Sequence, residues 1–98
     1  MKVVINTCYG GFGLSEVAKQ RYQELSGKKP AWWTELKRND KYLVQVVEEL
    51  GKAADCSCSE LAIVDIEPGR WYKIEEYDGN EEIHYRDIDD EWQLATDD

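Results

Sequence analysis

Lys2-Val3-Val4-Ile5-Asn6-Thr7-Cys8-Tyr9-Gly10-Gly11-Phe12-Gly13-Leu14-Ser15 is the stretch that decides the fold class. Its first half is a short run of β-branched residues, which suits a strand, and Tyr9-Gly10-Gly11-Phe12-Gly13 then stops that strand in a flexible turn. Ser15 stands where a helix N-cap belongs. Val17/Ala18, Tyr22 and Leu25 follow at helical spacing until Gly27 supplies a stop, so the spacing predicts a helix over about 15–26.

Working outward, Lys28-Lys29-Pro30 is a turn, and the aromatic, β-branched Ala31-Trp32-Trp33-Thr34-Glu35-Leu36 predicts a second strand. Asn39 or Asp40 caps a second helix. In it Leu43, Val46/Val47, Leu50 and Ala53/Ala54 form one apolar stripe opposite Lys41, Gln45, Glu48, Glu49 and Lys52. Leu61-Ala62-Ile63-Val64-Asp65-Ile66 reads as a central strand ended by Pro68-Gly69. Trp71 to Tyr77 and Glu81 to Arg86 read as the arms of a hairpin turning at Asp78-Gly79. The tail from Asp87, with Trp92 and Leu94 as anchors, is otherwise polar and reads as frayed. The order strand, helix, strand, helix, strand, hairpin predicts an α+β fold with α/β-like pairing, in one domain over 1–98. Its expected form is a mixed β-sheet with parallel pairing through right-handed crossovers, two helices packed on one face and a C-terminal β-hairpin at the edge.

Ninety-eight residues, 42% of them hydrophobic, sustain one small core and exclude a large multi-substrate enzyme and a disordered chain alike. The longest apolar run falls well short of the ~20 residues that span a bilayer, and the N-terminus has no signal-peptide core. A cytoplasmic protein with no membrane partner is expected. Cys8, Cys56 and Cys58 are odd in number, and Cys-x-Cys is poorly spaced for a bridge, so they read as reduced thiols. The net charge of −9 is uneven: residues 1–64 hold nine Lys and Arg against eight Asp and Glu, and residues 65–98 hold three against thirteen. An acidic last third repels phosphate backbones and attracts basic protein surfaces, so no direct nucleic-acid partner is expected.

The glycine-rich strand–helix junction suits an anion, since its free amides and the positive end of the helix dipole point the same way. A Walker loop would need Gly-Lys-Ser/Thr, but Leu14 follows Gly13; the dinucleotide fingerprint would need glycine where Glu16 stands. Cys8 to Ser15 nearly spells the phosphatase Cys-x5-Arg-Ser/Thr pattern, but Leu14 replaces the arginine that clamps phosphate. The candidate ligand-binding set is Asn6, Cys8, Tyr9, Gly10, Gly11, Phe12, Gly13 and Ser15, with Trp33 to stack a base and Arg38 to pair a phosphate. A tight turn that merely permits close helix–strand packing accounts for the same glycines.

Cys8, Cys56, Cys58 and His84 lack the spacing of a zinc knuckle, so neither a metal nor a cofactor is expected. His84 reads as a surface residue. Glu75, Glu76, Asp78, Glu81 and Glu82 resemble paired catalytic carboxylates, although a solvated hairpin tip produces the same pattern. In a strand Trp32 and Trp33 would point to opposite faces, leaving one for a ligand, a half-covered sheet face or a homo-oligomer contact.

Ile5 to Ser15, Leu43-Val44-Gln45-Val46-Val47-Glu48-Glu49-Leu50-Gly51 and Tyr72-Lys73-Ile74-Glu75-Glu76-Tyr77-Asp78-Gly79 resemble a family of small bacteriophage and prophage proteins of uncharacterised activity. The resemblance covers most of the chain. Where those relatives carry Asp-Pro at the start of the second helix, this chain has Asp40-Lys41, which leaves the cap intact. The resemblance implies a viral setting in the host bacterial cytoplasm, where short acidic proteins bind and neutralise host factors. Two readings of function follow. In the first, the chain is a counter-defence binding protein that sequesters a small anionic, nucleotide-type ligand through the glycine loop. In the alternative it is an acidic nucleic-acid mimic of the anti-CRISPR type, docking Glu75, Glu76, Asp78, Glu81 and Glu82 on a basic host protein. No enzymatic activity is expected; a hydrolase using Cys8 is a third reading.

Overall fold

A computed structural model describes residues 1–57, 59–85 and 93–94. Cys58, Arg86, Trp92 and the acidic tail other than 93–94 lie outside the described residues.

The opening stretch folds as its residues dictate. Strand β1 (Lys2–Asn6) leads through the glycine loop into helix α1 (Glu16–Ser26), whose first turn Ser15 caps by accepting from the Ala18 N–H. Gly27, at φ 70°, takes the left-handed C-cap that a Cβ would strain. Helix α2 (Lys41–Leu50) is capped by Asp40, which accepts from the Tyr42 and Leu43 N–H groups. Gly51 breaks it at φ 56°, so the expected last helical turn is a separate 3₁₀ segment, Gly51–Ala54. Strand β2 (Leu61–Asp65) follows, then the hairpin of β3 (Trp71–Tyr77) and β4 (Asn80–Tyr85). Asp78 and Gly79 both have positive φ at its turn, as a two-residue hairpin loop requires. Gln93–Leu94 form a short strand β5 on the far edge of β3.

The α+β class stands, and two features within it differ from expectation. Ala31 to Leu36 is not a strand: Trp33–Glu35 is a 3₁₀ turn, with the Glu35 N–H on the Trp32 carbonyl. Its aromatic content serves the core instead, Trp33 meeting Tyr22 edge-to-face at 5.5 Å. In place of one mixed sheet with parallel pairs there are two antiparallel sheets, β1–β2 and β4–β3–β5. The second correction follows from the first. With no strand between them, α1 and α2 both lie between β1 and β2, and two successive helices reverse the chain three times, which returns it antiparallel, whereas the single helix of a parallel crossover reverses it twice.

The β1–β2 ribbon is the middle layer of three. Val4, Leu61 and Ile63 face the helices and join Leu14, Ala18, Tyr22, Leu43, Val46 and Val47 in one core. Val3, Ile5, Ala62 and Val64 face the other way, onto Tyr72, Ile74 and Ile83 of the hairpin. Burial on both faces is why both strands read as nearly unbroken apolar runs. The helices therefore do pack on one face of the ribbon, as expected, and the hairpin covers the opposite face. Among the described residues no helix is long and apolar enough to cross a membrane.

Candidate functional site

Strand β1 has one edge on β2, and its other edge would expose the N–H groups of Val4 and Asn6. Neither is left open. The Val4 N–H donates to the Arg38 carbonyl at 2.8 Å, and the Asn6 N–H to Glu81 Oε1 at 2.8 Å, so a side-chain carboxylate stands where a further strand would present a carbonyl. Arg38 Nη1 also donates to Glu81 Oε1, and the guanidinium carbon lies over the Phe12 ring, 3.7 Å from its centroid. Asn6 is fully buried and wholly engaged: its Nδ2 donates to the Cys8 and Gly79 carbonyls at 2.7 and 2.6 Å, and its Oδ1 accepts from the Glu60 N–H at 2.8 Å. One knot thus ties β1, the glycine loop, the approach to α2 and the hairpin turn.

The glycines serve the same closure. A Cβ on Gly79 would stand 2.6 Å from both the Gly11 nitrogen and the Tyr9 carbonyl oxygen, so the hairpin turn rests directly on the loop backbone. A Cβ on Gly13 would meet Cys56 Sγ at 2.8 Å. The Gly13 carbonyl accepts from the Ser59 hydroxyl, and the Ser15 hydroxyl donates to the Ala53 carbonyl at 2.6 Å. Cys8 Sγ accepts from the Gly10 N–H at 3.4 Å.

The structure therefore brings Asn6, Cys8, Tyr9, Gly10, Gly11, Phe12, Gly13, Ser15 and Arg38 together, as expected, but turns most of their polar groups inward. The Ser15 hydroxyl caps α1 and holds Ala53, and the Arg38 guanidinium is taken by Glu81. Trp33 stands apart, packed on α1 at Tyr22, with Lys19 Nζ 6.0 Å from its ring centroid. Trp32, by contrast, is exposed.

Among the acidic candidates Glu81 is the exception: it is only 7% exposed and belongs to the knot, not to a solvated tip. The reason is strand parity. Residues 81 and 83 share the inner face of β4, and Glu81 pairs with Glu76 of β3 near the turn. That alternation is present in the sequence, where Ile83 marks the inner face.

The outer face of the hairpin is different in kind. Glu75 of β3 and Glu82 of β4 are direct cross-strand partners, both exposed. His84 Nε2 lies 3.3 Å from Glu82 and 3.7 Å from Glu75, and Lys73 Nζ lies 3.1 Å from Glu75. Tyr9 from the glycine loop and Tyr77 from β3 flank this group at 64% and 78% exposure. With Glu76 they line a cleft of about 310 Å³. Asp78, at the turn, is exposed beside it. Among the described residues no three His, Cys, Asp or Glu side chains are grouped to hold a metal ion.

No family model matches the chain, and no curated protein or solved structure matches it. The site must be read from its own chemistry. What the sequence reading missed is the use of Glu81 and Arg38 to close a strand edge, and a second cleft beside α2, whose lysines are spread over residues 2, 37 and 41.

Proposed function

We propose that the chain is a binding protein that docks the acidic outer face of its hairpin on a basic protein surface, of the kind that nucleic-acid-binding proteins present. The observation that carries this reading is the exposed Glu75–Glu82 cross-strand pair between two exposed tyrosines. Like charges placed directly opposite weaken a hairpin, and Lys73, 3.1 Å from Glu75, offsets only one of the two, since among the described residues Glu82 has no lysine or arginine beside it. Tyrosine and carboxylate together suit a docking surface, since the rings supply contact area at low entropic cost and the charges steer a cationic partner. The net charge of −9 extends the same attraction over a longer range. In the viral setting that the resemblance implies, such a surface competes with nucleic acid for a host protein, and this is the counter-defence role we assign. The glycine-loop reading is weaker because the Ser15 hydroxyl and the Arg38 guanidinium already have partners within the chain.

The test is affinity capture from a bacterial lysate, comparing the wild type with a Glu75→Lys/Glu82→Lys variant of matched thermal stability. The expected result is a basic, nucleic-acid-binding protein retained at about 50 mM salt, released at about 300 mM, and absent from the variant. Retention of the same proteins by both chains at both salt concentrations overturns the reading.

A further inference from the structure

The acidity of the whole chain conceals a cationic cleft beside α2. Lys2 of β1, Lys37 and Asn39 on the approach to α2, and Lys41 and Tyr42 in its first turn line, with Met1, an open cleft of about 640 Å³. That volume lies within the range of small-molecule sites. It shares no residue with the acidic cleft of the hairpin or with the glycine loop.

The charges in this cleft do not balance. Its two carboxylates, Asp40 and Asp65, each have a partner. Asp40 caps α2 and accepts from the Tyr22 hydroxyl at 2.9 Å, while Asp65 lies 3.6 Å from the Met1 ammonium. Lys2 is paired with Glu48 at 2.6 Å. Lys37 and Lys41, both exposed, form no ion pair among the described residues. Among the described residues, Lys37 and Lys41 thus place two ammonium groups without an ion-pair partner on one concavity, and an anion seated between them relieves their mutual repulsion. The end of α2 does not supply the attraction, because its first free amides are already taken by Asp40. The lysines supply it.

The rest of the lining is apolar or flat. Tyr42 lines it, its ring edge-to-face with Tyr22 at 6.2 Å and 5.0 Å from the Lys41 ammonium, and Val44 and Met1 complete the wall. Asn39 adds an amide beside them, its Nδ2 on the Met1 sulfur at 3.5 Å. Cationic groups at one part of a cleft and an aromatic and aliphatic wall at another select an amphipathic anion. We propose that this cleft binds a small organic phosphate whose phosphoryl group meets Lys37 and Lys41 and whose flat ring lies on Tyr42, the chemistry of a nucleoside monophosphate. The proposal does not rest on the docking role of the hairpin.

The experiment is a titration of the full chain, followed by amide NMR, with adenosine monophosphate, adenosine and inorganic phosphate as probes. Adenosine monophosphate is expected to give saturable shifts at Asn39, Lys41 and Tyr42, and to bind more tightly than adenosine. Lys37→Gln/Lys41→Gln is expected to weaken it by about tenfold or more, and Lys28→Gln/Lys29→Gln, with the same net charge but away from the cleft, to leave it unchanged. The proposal is overturned by any of four results: no saturable shift up to about 10 mM, shifts confined to residues 9–13, adenosine binding as tightly as its phosphate, or equal weakening by both lysine pairs. If the cleft variant does not give a folded spectrum, the map of shifts and the adenosine comparison decide the question in the wild type.

Discussion

At the scale of single residues, the protein depends on polar groups that have exchanged water for each other. Glu81 is the clearest case: a nearly buried carboxylate accepts from the Asn6 N–H and from Arg38. Removing one partner of such a pair leaves the other charge buried and uncompensated, which costs far more than an exposed ion pair is worth. Arg38→Ala is therefore expected to lose about 3–5 kcal/mol in urea unfolding, whereas removing Arg21 from its exposed contacts with Glu24 and Glu49 should leave the unfolding midpoint nearly unchanged. Arg38→Lys keeps the charge but not the guanidinium contact with Phe12, and should fall between wild type and alanine. Tyr22 offers a test by pH. Burial, and then its hydrogen bond to Asp40, push its hydroxyl up from 10.0 to about 12. A folded-state value above the unfolded one means stability that is present below pH 10 and lost as pH rises towards 12. A decline of roughly 2–3 kcal/mol across that window is expected for the wild type, and Tyr22→Phe should remove this part of the slope.

At the scale of elements, the turns matter for what they touch as well as for their backbone angles. Gly69 and Gly79 have nearly the same φ, 89° and 91°, yet a Cβ on Gly69 meets nothing within 4 Å while one on Gly79 meets the Tyr9 and Gly11 backbone. Gly69→Ala should cost about 1 kcal/mol, the strain of a left-handed alanine. Gly79→Ala adds a collision with main chain that no rotamer relieves, so several kcal/mol are expected, with amide exchange rising at Asn6 and in the loop. Equal losses from the two substitutions would mean that the hairpin turn does not bear on the loop. The helices show the converse, an agreement between local signals and final structure. Ser15 and Gly27 bound α1, and Asp40 and Gly51 bound α2, through interactions within one turn of each end.

At the scale of the whole molecule, charge and layering set the behaviour. The net charge of −9 makes the folded chain repel itself, and its exposed ion pairs are few and weak. Raising salt from about 10 mM to about 150 mM should therefore raise Tm by a few degrees, while weakening attachment of the hairpin to any basic partner. A fall in Tm over that range would show that surface pairs such as Lys2–Glu48 outweigh the repulsion. The ribbon of β1 and β2, covered by helices on one side and the hairpin on the other, needs both covers. A polar substitution at Val4 strikes the helical core and one at Val3 the hairpin core, and both should unfold the chain in one transition.

Both helices, their N-caps, the stop at Gly27, the turn at Asp78-Gly79 and the hairpin were legible in the sequence, because each is determined by residues within a few positions of one another, whereas the break of α2 at Gly51 was not. The apolar runs of residues 3–5 and 61–64 likewise marked two strands, and 61–64 a central one. Whether those strands ran parallel depended on the stretch from Ala31 to Leu36, whose aromatic residues favour a strand locally. Only packing decided it: Trp33 meets Tyr22 edge-to-face in the helical core, a partner far from it in the sequence. The fate of Glu81 and Arg38 was decided in the same way. Nothing near either residue shows that β1 has an open edge to be closed, because that edge exists only once the ribbon has formed. The acidic face and the cationic cleft divide along the same line: the charge of the last third can be counted from the sequence, whereas Lys2, Lys37 and Lys41 share a surface only because β1 and α2 lie side by side.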